Sequence, residues 1–591
     1  MESPSNHASP VVSPLLPLAI SVSFLGIIVA LPMLQFVGEV ATERQKWPVA
    51  INFFPVFARS LAEGLAQPGT IWQKGLAANS NACRELRVFE TNVTTSAWPI
   101  RPYRDHLQAN LSARLATGNE QVVIGREGWM FFRPDVDALT APGFLQAEVV
   151  RPGMSRAQRK SNPLPAIQRF AADLRTRGIE LILLPIPSKA AFELPLKVTP
   201  WPPIEAPADP IHNADYQAFI QQFRQRVKLP ELERNENLIR NSDQSVVIGD
   251  LDQLFQAEQE KSFRCYLKAD THWTPTGLEI AVQRVAREIR DHSVLRGSDG
   301  GQQSHSRRWK LEVSKPIKKV GDTAILLGNG TDEDWGLEEV RPLRVVEQDG
   351  SDWQPDPKAE VLILGDSFIN IYSQGDLGWG TSAGFVEHLS FVLNAPLDVI
   401  AINAGGALAS RQELVRQLQQ GHDRLVGKKL VIWEFAEREL AFGDWQVLPL
   451  PEGTKSTSPP ANQTPEKSPA TSRASAAIKI TGQILQLGRL VNPQSMPYRE
   501  ALLPIHLKVA GWPSGTKASA AKNLPDEIVV YVWGLKNRRP TAAADWRTGQ
   551  KVDLQVVPWS QAEAKYGRFA RIELDDPDSV LLDLPTYWGE P

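Results

Sequence analysis

From Ser3 to Gly38 no residue carries a fixed charge, and Leu15 to Val37 (LLPLAISVSFLGIIVALPMLQFV) is almost wholly apolar and long enough to cross a bilayer. A cleaved signal peptide has basic residues ahead of a shorter apolar region. Here Glu2 and His7 are the only ionisable side chains ahead of the run, so the pattern predicts an uncleaved anchor over residues 1–43. Flanking charge does not orient it, because Arg44 and Lys46 stand beside Glu39 and Glu43. Residues 44–119 read as a helical, amphipathic juxtamembrane segment. VVIGREGWMFF (Val122 to Phe132) then reads as strand, glycine turn and aromatic strand, the opening of a domain over 120–450.

Within that domain helical and strand periods alternate. PAIQRFAADLRTRG ends at Gly178 and is followed by the continuous apolar run IELILLPIP; SVVIGDL, VLILGDSF, LDVIAINAGG and KLVIWEF repeat the theme. Continuous apolar strands alternating with helices predict an α/β domain, a largely parallel sheet with helices on both faces. Residues 291–360 interrupt the rhythm with Gly-, Ser- and Gln-rich stretches and are expected to hold loops or a small insertion. Residues 451–476 lack apolar periodicity and are rich in Pro, Ser, Thr and Ala, which predicts a disordered linker. Over 477–591 short alternating segments such as KITGQILQLG and EIVVYVWGL predict a small all-β domain, a barrel or a sandwich.

Composition narrows the functional classes. With 64 Lys+Arg against 67 Asp+Glu the net charge is −3, so no global field draws the chain to nucleic acid. Two cysteines, Cys83 and Cys265, exclude a disulfide framework and a four-thiolate zinc site, and leave open whether they pair.

Two short motifs carry chemistry. VLILGDSF places Gly365, Asp366 and Ser367 at the carboxyl end of a buried strand, the edge where α/β sheets keep their sites. DTHWTP places Asp270 and His272 just ahead of a helix that starts with Thr274 as cap and Pro275 in its first turn. A serine hydroxyl needs a base, and an imidazole base needs a carboxylate to fix its tautomer. Asp270, His272 and Ser367 supply all three. No second His or Cys lies at ligand spacing in either motif, so no metal is expected.

The ordered pair DTHWTPTG and VLILGDSF, together with LLPIPSKAAFELP and GREGWMFF, resembles the alginate O-acetyltransferase family of the AlgX/AlgJ type over roughly residues 120–445. The resemblance implies an SGNH-hydrolase-like fold, an acylated Ser367, and His272 with Asp270 as its partners. It also implies a periplasmic catalytic domain held at the inner membrane by the N-terminal helix, a polysaccharide acceptor, and an acetyl donor delivered through a membrane-embedded acyltransferase partner, with no cofactor. By pattern, the strand end at Asn403, Gly405 and Gly406 is placed to complete an oxyanion hole beside the Ser367 amide. Lys189, Trp273 and Arg438 are placed to touch the sugar. The same triad would serve a carbohydrate acetyl esterase, and a non-catalytic scaffold of an exopolysaccharide assembly is the third reading. The C-terminal region does not match the sugar-binding domain that some family members carry there, and its role stays open between carbohydrate and protein contact.

Overall fold

The computed structural model describes residues 118–145, 162–197, 210–224, 246–248, 250–261, 263–291, 308–327, 337–451, 477–488, 498–511, 525–572, 574 and 580–591, with scattered helical residues before 118. The chain forms two units, Met1–Leu115 with Arg151–Gly153, and Ala116–Val150 with Met154–Pro591. In the first, helix α1 (Val49–Ala66) carries Pro55 inside it. Among the described residues no helix is long and apolar enough to cross a membrane. Most of the Leu15 to Val37 run and the 451–476 linker lie outside the described residues.

The second unit opens with an antiparallel hairpin, β1 (Val122–Ile124) and β2 (Met130–Phe132). Then follow α2 (Pro163–Thr176), β3 (Glu180–Ile186), α3 (Tyr216–Arg224), β4 (Val246–Ile248) and α4 (Pro275–Asp291). Helix α2 starts where the sequence provides a cap: the Asn162 side chain accepts from the Leu164 amide at 2.9 Å, with Pro163 in the first turn. The interrupted region holds more structure than loops. It contains two antiparallel pairs, β5 (Trp309–Val313) with β8 (Leu343–Glu347) and β6 (Ile317–Lys319) with β7 (Glu338–Val340), and between β6 and β7 the short helix α5 (Asp322–Leu327). The core resumes with β9 (Val361–Gly365), α6 (Ser367–Asn370), α7 (Phe385–Leu393), β10 (Asp398–Ala401), α8 (Ala409–Gln419) and β11 (Leu430–Ala436).

The central sheet is entirely parallel, ordered β10-β9-β11-β3-β4. Successive residues of each strand enter opposite cores. Ile182, Leu184, Ile363 and Ile432 meet Ala281 and Val285 of α4 and Leu389 of α7 on one face. Leu181, Leu183, Leu362, Val431 and Trp433 meet Phe170 of α2, Phe219 of α3 and Leu414 of α8 on the other. Burial of both faces explains the unbroken apolar strand sequences.

The C-terminal part is a closed barrel. Strands β12 (Ile478–Leu487), β13 (Ala501–Gly511), β14 (Glu527–Lys536), β16 (Lys551–Pro558) and β18 (Thr586–Glu590) form a ring through the pairings β14–β13, β13–β12, β12–β16, β16–β18 and β18–β14, all antiparallel except the last. Strand β15 (Arg539–Pro540) extends β14, and β17 (Ala570–Arg571) extends β13. Closure removes the sheet edges, and Ile480, Ile484, Ile505, Val530 and Leu554 fill the interior. Arg571 of β17 donates to Glu413 of α8 at 2.6 Å, a buried ion pair that ties barrel to α/β core.

Candidate active site

Strand β9 runs between β10 and β11 and ends in Gly365 because nothing larger fits: a Cβ there would lie 2.5 Å from both Glu434 Oε2 and Ile369 Cγ1. The chain turns, Asp366 caps α6 by accepting from the Phe368 amide at 2.9 Å, and Ser367 becomes the first helical residue. Glu434 Oε2 accepts the Asp366 amide at 2.9 Å, and burial holds the Glu434 carboxyl well above its ordinary range.

The DTHW motif occupies the tip of a tight loop. Thr274 donates its amide to the Cys265 carbonyl at 2.8 Å, and Leu267 to the His272 carbonyl at 3.1 Å. Two side chains, the buried Lys189 and the half-buried Glu338, grip the tip from the backbone side. The Lys189 ammonium donates to the carbonyls of Leu267 (3.1 Å), Lys268 (3.0 Å) and Asp270 (2.7 Å), and Glu338 accepts the amides of Lys268 (2.8 Å) and Ala269 (2.7 Å).

The two loops meet. His272 Nε2 lies 2.9 Å from Ser367 Oγ, and His272 Nδ1 lies 2.7 Å from Asp270 Oδ1. Asp270 Oδ2 accepts from the Asp322 amide at 2.9 Å and the Trp379 indole at 3.0 Å. Asp322, at the start of α5, brings a second carboxylate: its Oδ2 is 3.4 Å from His272 Nδ1, while Oδ1 accepts the Thr271 amide at 2.7 Å. Burial by itself would lower the imidazole pKa, but the hydrogen bond and charge of Asp270, reinforced by Asp322, outweigh it and raise His272 to about 9. Burial would raise Asp270, and the same hydrogen bond to His272 overrides it and holds the carboxyl well below its usual range. Asp270, His272 and Asp322 bring ligand atoms within 4.8 Å of one another, the one spacing among the described residues that a cation could use. Their lone pairs face N–H and O–H donors from Trp379, Thr271 and the backbone, a set suited to holding a charged imidazole.

Ser367, His272 and Thr271 open into a cavity of about 370 Å³ whose lining also includes Gly405, Gly406 and Arg438. The Arg438 guanidinium lies over the Phe132 ring and pairs with Asp135 at 3.0 Å. Gly406, at φ 50°, has no room for a Cβ, which would fall 2.4 Å from Glu439 Oε2. Three expectations are corrected. Lys189 is 2 % exposed and all three of its donor directions end on carbonyls, so it braces the DTHW loop from within and holds no sugar. Trp273 is fully buried between Phe368 and Phe385, where no substrate ring reaches it. Asn403 is buried outside the cavity lining, its amide donating to the Arg568 carbonyl at 3.2 Å and its Nδ2 to Gln374 at 3.0 Å, so it offers no donor to an oxyanion. The Gly405 amide is likewise taken, by the Ile402 carbonyl at 3.0 Å. Both cysteines are free thiols.

Sequence reasoning did not find Asp322, Trp379 or Tyr498, which also lines the cavity. Asp322 had one faint signal, a Gly-Asp pair opening an apolar run; Trp379 was one of 17 tryptophans with nothing local to single it out.

A parallel sheet covered on both faces, with a serine after a central strand and an Asp-His loop beside it, defines an SGNH-hydrolase-like α/β domain. The family model described as "SGNH hydrolase-like domain, acetyltransferase AlgX" matches residues 122–437, and the chain belongs to that family. Among curated relatives it is 23 % identical to a probable alginate O-acetylase AlgJ of Pseudomonas putida, over 58 % of this chain and 76 % of that protein. It is also 23 % identical to one of Pseudomonas fluorescens, over 62 % and 81 %. Among solved structures it is similar to the O-acetyltransferase domain of Pseudomonas putida AlgJ, with 19 % identity, coverage of 54 % of this chain and 91 % of that one, and a TM-score of 0.36.

Proposed function

We propose that this chain is a membrane-anchored, periplasmic O-acetyltransferase that carries an acetyl group on Ser367 and passes it to hydroxyls of an exported polysaccharide such as alginate. The observation that carries the reading is the continuous relay from Asp270 through His272 to Ser367, with spacings of 2.7 and 2.9 Å. Neutral His272 takes the Ser367 proton as Oγ attacks the acetyl carbon; the donor's leaving group departs with that proton. A sugar hydroxyl then attacks the acetyl-serine, gives its proton to His272, and leaves as the ester while Ser367 recovers its hydrogen. Asp270 and Asp322 stabilise the imidazolium that forms in both halves. The names of the curated relatives support alginate or a similar exopolysaccharide as acceptor. The uncharged run from Ser3 to Gly38 supports the anchor, and a membrane-embedded acyltransferase is the proposed donor partner.

The test is acetylation of Ser367 by an activated acetyl ester, read by mass spectrometry of the intact chain, followed by addition of oligosaccharide. A Ser367 adduct that Ser367→Ala abolishes and that oligosaccharide discharges onto sugar is expected. Discharge to acetate at a rate indifferent to sugar would make the protein an esterase, and a chain that takes no label would make it a scaffold.

A further inference from the structure

An oxyanion hole needs donors, and those expected from Asn403 and Gly405 are engaged elsewhere: the Asn403 amide, its Nδ2 and the Gly405 amide all end on other acceptors. Ser367 and Gly406 remain among the residues that line the cavity. Tyr498, which shortly precedes β13 of the barrel, enters the same cavity from outside the α/β core. Its ring rests on Ala501, Leu535 and Ala570 of the barrel strands, and it lines the cavity together with Ser367 and His272.

Proton accounting leaves the phenol as a donor. In the reactive state Ser367 gives its single hydrogen to His272 Nε2, and the Tyr498 phenol keeps its own for an oxygen in the cavity. Burial raises the phenol pKa and keeps the hydrogen in place.

Resting on the acyl-serine reading above, the geometry points to Tyr498 as a catalytic residue supplied by the C-terminal segment: from the cavity wall it donates to the acyl oxygen as negative charge gathers there. That oxygen lies two bonds from Oγ once the ester has formed, in the cavity that Ser367 and Tyr498 both line. The phenol keeps its proton throughout. The Oγ–carbon bond forms, the carbon–leaving-group bond breaks, and the serine proton travels through His272. The barrel is thereby part of the active site, whatever else it binds.

The experiment compares the full-length chain with Tyr498→Phe and Tyr498→Ala, measuring the rate of Ser367 acetylation by p-nitrophenyl acetate together with thermal melting. Tyr498→Phe keeps the ring on the barrel and removes only the hydroxyl; it is expected to melt like the parent and to acetylate roughly 10²- to 10³-fold more slowly. The pH limb set by His272 should stay where it is. Acetylation of Tyr498→Phe at the parent rate, with only Tyr498→Ala impaired, reduces the residue to packing and overturns the assignment. Absence of any Ser367 adduct in the parent chain overturns the transferase reading itself, and this one with it.

Discussion

Replacing Asp322 by asparagine isolates what a second carboxylate does to the base. Asp322 Oδ2 stands 3.4 Å from His272 Nδ1, and at an effective dielectric of about 20 a full charge at that distance interacts with the imidazolium by about 5 kcal/mol. That is a ceiling; opposite charges at this range move a pKa by roughly one to three pH units. With His272 raised to about 9, only about 1 % of the imidazole is a free base at pH 7. The sign follows directly. Acylation needs the neutral ring, so its rate climbs with pH and levels off above about 9. Asparagine keeps an acceptor for the Thr271 amide but removes the charge, so the limb should fall by roughly one to three pH units. The plateau above pH 9 should drop, because the imidazolium formed in the transition state has lost a partner. The assay is the pH dependence of acetyl-Ser367 formation measured by stopped flow. A limb that stays near pH 9 in Asp322→Asn refutes the electrostatic role given to this carboxylate.

Three further outcomes follow from the packing around the site. Trp379→Phe removes an indole donor from buried Asp270, and should lower stability by about 1.5–3 kcal/mol in urea unfolding; an unchanged midpoint contradicts the bond. Lys189→Met leaves three loop carbonyls without their donor and should cost about 3 kcal/mol while leaving polymer affinity alone, whereas weakened polymer binding in a fully stable variant would restore Lys189 to the sugar site. Gly365→Ala drives a methyl against Glu434 and Ile369 and should cost about 1–3 kcal/mol and slow Ser367 acylation, with parent-like melting and rate as the contrary result.

The α/β rhythm, the two motifs and the barrel strands were legible along the chain because each rests on a local pattern: alternation of core-facing residues, a cap before a helix, a glycine where a strand turns. The spacing of Asp270 and His272 in one loop is local too, and so is the seat of Ser367 after β9. The rest depends on what lies opposite. Lys189 reads as a solvent-facing strand-end lysine until three carbonyls of a loop some eighty residues away prove to close around it. Trp273 and Asn403 are polar-edged residues beside a site, and only their burial against Phe385 and Gln374 turns them from substrate contacts into supports. Asp322, Trp379 and Tyr498 come from an interruption, a loop and the barrel entry, segments without periodicity, and converge on the site from tens to more than a hundred residues away: Asp322 beside His272, Trp379 on Asp270 and Tyr498 on the cavity of Ser367. Local pattern sets which element forms, since backbone conformation responds to near neighbours. Where a polar side chain's hydrogens and charge go is set by the groups that tertiary packing brings within about 3 Å of it, and that decided which residues here handle protons and which hold the frame.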